Sequence, residues 1–73
     1  MSQKIQLLDV VALAQPLQEK GLLRGQVGTV VEALTEEMVE VEFSDEEGRP
    51  YAFAAVPIEK LIVLHYRPEV ERA

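Results

Sequence analysis

Two glycines, Gly25 and Gly28, stand three apart immediately ahead of the β-branched run Thr29-Val30-Val31. Glycine tolerates positive φ and close approach of a neighbouring backbone, so this spacing reads as a tight turn feeding a strand that must bend. Downstream, Val39, Val41 and Phe43 alternate with Glu40 and Glu42. Side chains along a strand point to opposite faces, so that segment has one apolar face and one acidic face. A bent strand beside an amphipathic one is how a small, strongly curved β-barrel opens.

The rest of the chain fits that start. Residues 9–14 (Asp9-Val10-Val11-Ala12-Leu13-Ala14) read as a first strand. Residues 15–24 hold Pro16 and Gly21 and are expected as a long loop, with Leu17, Leu22 and Leu23 folding back onto the body. Residues 26–34 and 38–44 form the second and third strands, joined by a short hairpin at Thr35-Glu36-Glu37. Residues 45–50 are a turn with Gly48 at its positive-φ position, and residues 51–56 a fourth strand rich in alanine. Pro57 opens a single helical turn over 57–60, and residues 61–64 make a last strand. The expected fold is all-β: a small five-stranded SH3-like barrel with one short helical turn before the last strand. Residues 1–73 form a single domain, with a core at about 8–65 and a C-terminal tail at 66–73. Gly25, Gly28 and Gly48 are its structural turn residues.

Composition narrows what such a barrel can do. A chain of 73 residues buries only about 60% of its unfolded surface, and such domains often lean on disulfides, a metal or a partner. There is no cysteine and only one histidine, His65, which leaves self-association or docking onto a larger subunit as the remaining support, with a self-sufficient monomer as the alternative. No cofactor is expected. The N-terminus lacks the pattern of a secretory signal, and no apolar run approaches the roughly 18 residues of a membrane span, so a cytoplasmic setting is expected.

Charge is the stronger constraint. Acids outnumber bases thirteen to seven, for a net charge of −6. Eight of those acids (Glu32, Glu36, Glu37, Glu40, Glu42, Asp45, Glu46 and Glu47) fall between positions 32 and 47, with no Lys or Arg among them. Affinity for phosphate backbones comes largely from Lys and Arg displacing counterions, so this surface disfavours nucleic acid.

Three segments carry a resemblance: Asp9-Val10-Val11-Ala12-Leu13, Lys20 through Val31, and Val39-Glu40-Val41-Glu42-Phe43. Together with Asp45-Glu46-Glu47-Gly48-Arg49 and the strand from Tyr51, they resemble a family of short bacterial proteins catalogued only as a domain of unknown function. That resemblance implies a small SH3-like barrel and no activity. The glycine turn and alternating strand are also similar, over about a third of the chain, to KOW-type and Tudor-type barrels and to the SH3-like domain of nitrile hydratase β subunits. KOW modules that bind RNA carry basic residues near this turn, where this chain has Arg24 and, further off, Lys20. Tudor modules hold methylated cations in aromatic cages, whereas this chain has only Phe43, Tyr51, Phe53 and Tyr66, with no Trp.

Catalytic constellations are poorly supplied. A triad would need His65 as base and one of Ser2, Thr29, Thr35 or Ser44 as nucleophile, all in ordinary strand or loop contexts. The cluster Asp45-Glu46-Glu47-Gly48 lacks the ligand spacing of an EF-hand loop and reads as an acidic turn. Gly25 and Gly28 precede no Lys-Ser/Thr and no helix, so they cradle no phosphate. The chain is expected to be a non-enzymatic binding or accessory module. Its acidic face, with Glu36, Glu37, Glu40, Glu42 and Tyr51, would engage a basic partner protein in a groove between residues 15–24 and 36–47. The alternatives are a KOW-like nucleic-acid module and an antitoxin-like or immunity-like partner of a basic enzyme.

Overall fold

The computed structural model describes residues 4–66 and Pro68. The strands are β1 (Val10–Leu13), β2 (Val27–Ala33), β3 (Met38–Ser44), β4 (Pro50–Pro57) and β5 (Leu61–Val63). They form one antiparallel sheet in the order β4-β3-β2-β1-β5. The fold is all-β as expected, and a single 3-10 turn, Ile58–Lys60, precedes the last strand. Alternation sets the core. Val39, Val41 and Phe43 of β3 are buried, and they cluster with Val11 and Leu13 of β1, Val30 of β2, Ala54 and Val56 of β4, and Leu61 of β5. One face of every strand thus meets a common interior.

Strand ends differ slightly from the sequence expectation, each for a local reason. Asp9 lies outside β1 because its amide donates to the Gln6 carbonyl, while its carboxylate accepts the Gln6 amide at 2.8 Å. Ala14 lies just past β1 but keeps the β1–β5 register, donating to the Lys60 carbonyl as the last rung of that ladder. Residues 15–24 are not wholly loop: Gln18–Lys20 wind into a 3-10 turn, closed by Gly21 at φ 70°. Pro16 and Gly21 flank this turn instead of interrupting it. Leu17 and Leu22 pair across it and are buried, whereas Leu23 is 68% exposed and does not fold back with them. Of the expected tail, residues 67 and 69–73 lie outside the described residues.

The sheet cannot be flat. The Ile58 amide donates to the Glu37 carbonyl at 2.9 Å, and the Ala14 amide donates to the Lys60 carbonyl at 2.8 Å. Glu37 lies just before β3 and Ala14 just after β1, at opposite ends of the intervening β2. In a flat sheet those ends would be about 20 Å or more apart, from the rise per residue alone. Residues 58–60 can span only about 10 Å. The sheet must therefore coil until the two ends meet across this closing turn.

The two paired glycines serve that coiling differently. Gly25 has φ 93° and open space where a Cβ would sit, so its requirement is conformational. Gly28 was expected as a turn residue, but it lies within β2 and has no positive φ. A Cβ there would stand 2.6 Å from Val41 Cγ1 and 2.7 Å from the Glu42 carbonyl oxygen. Its role is close packing of β2 on β3. Gly25→Ala should cost about 1–2 kcal/mol, and Gly25→Asn less, because Asn tolerates the left-handed region. Gly28→Ala should cost about 1–3 kcal/mol from overpacking, and Gly28→Asn more. Urea midpoints of the four variants check this; Asn being the milder replacement at both sites would contradict it.

Candidate functional site

Because Val39, Val41 and Phe43 point inward, the intervening Met38, Glu40, Glu42 and Ser44 must share the outer face of β3. The register places Glu42 between Thr29 of β2 and Phe53 of β4, and Glu40 between Glu32 of β2 and Ala55 of β4. Glu40 and Glu42 are only half-buried, flanked by strands on both sides. Phe53 is 53% exposed and Tyr51 49% exposed. The face is thus an acidic stripe bordered by the Phe53 ring, with Tyr51 exposed at the register shift where β4 begins.

Among the described residues, no salt bridge joins Glu32, Glu40 or Glu42 to a cation. The ion pairs among these residues are those Arg49 makes with Asp45, at 3.4 Å, and with Glu47. Glu32 and Glu40 are direct cross-strand partners of like charge, an arrangement that opposes strand pairing. A register irregularity between Val30 and Glu32 sits beside them.

Tyr51 is held in place. Gln26 Nε2 donates to its hydroxyl oxygen at 2.6 Å, while Gln26 Oε1 accepts the Leu23 amide at 2.6 Å. The start of β4 is thereby tied to the base of the long loop. At the other end of β4, Glu36 and Glu37 occupy the hairpin turn, where Thr35 Oγ1 accepts the Glu37 amide at 3.0 Å. The Glu37 carbonyl there receives the closing turn.

The five residues expected to meet a partner are therefore divided. Glu40 and Glu42 stand on the outer face of the sheet, Tyr51 at the register shift where β4 begins, and Glu36 and Glu37 on the rim beside the closing turn. The closing turn also receives Ala14, so the rim approaches the start of residues 15–24. Glu40 and Glu42 belong to the open face instead of that cleft. Phe53, Glu32 and Thr29, noted in the sequence but not assigned to the partner-binding set, complete the face. The large Phe53 between the small Ala52 and Ala54 was the available signal.

Other candidate groups have structural surroundings. Asp45 accepts the amides of Glu47, at 2.9 Å, and Arg49, at 3.0 Å, closing the β3–β4 turn in which Gly48 has φ 84°. Thr35 is engaged in its own turn, Thr29 lies on the outer face, Ser44 ends β3 and His65 is exposed past β5. Ser2 lies outside the described residues. Among the described residues, no three of His, Cys, Asp and Glu gather as a metal site.

Residues 7–63 match the family Domain of unknown function (DUF4926), and the chain belongs to it. No curated protein and no solved structure shows a significant match.

The Arg49 amide, above all, holds the Asp45 carboxyl below its ordinary value, helped by the Glu47 amide and the Arg49 guanidinium. A carboxylate with a lowered folded pKa stabilises the fold above its unfolded pKa, and that contribution is lost as pH falls through the folded value. Asp45→Asn should therefore lower the melting temperature at neutral pH. The gap to the unmodified protein should narrow in acid. A gap that stays constant from neutral pH to below the carboxylate range would contradict this assignment.

Proposed function

For this member of the DUF4926 family, we propose a non-enzymatic binding module whose acidic outer face engages a basic protein partner. The observation that carries the reading is the stripe Glu32–Glu40–Glu42, which no base among the described residues pairs with, bordered by Phe53. Charges of one sign gathered on a face attract the opposite sign and speed its encounter. The aromatic border adds a ring face against which Lys or Arg can stack. The same charge repels phosphate backbones, so a protein is favoured over nucleic acid.

The architecture is read as an SH3-like barrel. Support comes from the strand order β4-β3-β2-β1-β5, the long connection after β1 and the helical turn before β5. The family is read as bacterial and the protein as cytoplasmic. Among the described residues, no helix is long and apolar enough to cross a membrane.

The test is capture from the native host by tagged protein and by a Glu40→Lys/Glu42→Lys variant. A stoichiometric basic protein held by the first, released by moderate salt and absent from the second supports the reading. Equal capture by both contradicts it. A second expectation separates folding from binding. Glu40→Lys alone replaces a like-charged cross-strand pair by an opposite one, so it should stabilise the fold by roughly 0.2–1 kcal/mol while weakening capture. A destabilised Glu40→Lys would place the role of Glu40 in the fold.

A further inference from the structure

β4 is an edge strand of the sheet. Among the described residues, the backbone of 51–56 pairs only with β3. Edge strands normally carry a charge, a proline or a bulge that blocks pairing with a stranger. Here prolines stand only at the two ends, Pro50 and Pro57, and a register irregularity lies near the first. Between them the sequence Tyr51-Ala52-Phe53-Ala54-Ala55-Val56 has no charge at all.

Resting on the binding reading above, we propose that β4 receives the partner as an added strand, an extended segment with basic residues two apart. The register dictates that spacing. On the outer face Phe53 lies beside Glu42, and Ala55 lies beside Glu40. A strand added along β4 would sit about 10 Å from β3, two strand spacings away. A Lys or Arg on its outer face can reach across β4 to the carboxylates. One such side chain would lie over the Phe53 ring towards Glu42. The next outward side chain, two residues along, would cross the small Ala55 towards Glu40. The residue between them would face the same side as Ala54 and is expected to be small or apolar. Main-chain hydrogen bonds to the open edge supply affinity, and the alternating bases supply selectivity.

Three synthetic nine-residue peptides test this by titration calorimetry with the full chain. The first alternates Arg and Val. The second has the same composition with the arginines consecutive. The third is the alternating peptide with N-methyl groups on the amides of one edge. The proposal expects the alternating peptide to bind, the other two to bind about tenfold more weakly or worse, and Phe53→Ala and Glu42→Gln each to weaken binding about fivefold. Circular dichroism establishes that both variants remain folded. Equal binding of the alternating and consecutive peptides would overturn strand addition but leave the acidic-face reading intact. Binding untouched by N-methylation would do the same. If no peptide binds and the host partner is still captured by Glu40→Lys/Glu42→Lys, both readings fail.

Discussion

Closure of this sheet rests on one three-residue helical turn that links its two edge strands, its ends held by the last rungs of the β3–β4 and β1–β5 ladders. Ile58 donates to Glu37 and Ala14 donates to Lys60, so three residues join the β2–β3 connection to the end of β1. Everything else follows from the coiling that this joint enforces. Coiling brings the inward side chains of all five strands into one cluster. It also requires β2 to lie tight against β3, which is why no Cβ fits at Gly28. For so small a core, a joint that makes the sheet a single cooperative unit matters more than any one side chain.

The same geometry determines the functional surface. Once Val39, Val41 and Phe43 are committed inward, strict alternation leaves Glu40 and Glu42 no choice but the outer face. Glu32 then stands opposite Glu40, a pairing that works against the fold. Arg49 could have neutralised the stripe, but it is engaged by Asp45 and Glu47 at the next turn. A face that keeps unfavourable charge while its neighbouring edge carries none has the makings of a recognition surface.

Much of the fold was legible because it rests on local signals. Alternation in β3 fixed its limits at Met38 and Ser44, and the turn signal at Gly48 separated β3 from β4. The proline ahead of residues 58–60 marked the closing turn. Less legible were features decided by distant contacts. Gly28 looked like Gly25 in sequence, yet only the approach of β3 separates close packing from positive φ. Leu23 looked like Leu17 and Leu22, but only those two pair across the short 3-10 turn. The site was legible in part. Charge density picked out Glu40 and Glu42, while Phe53 became part of it only when the β3–β4 register placed it beside Glu42.

The most direct test of the account is native-state hydrogen exchange of the Ala14 and Ile58 amides, measured against the Val30 amide in the body of the sheet. If the closing turn holds the coiled sheet together, all three exchange only through global unfolding, with the same free energy and the same denaturant dependence. If Ala14 and Ile58 exchange through a smaller opening while Val30 stays protected, the turn is an ornament on a sheet that coils without it, and the central claim is wrong.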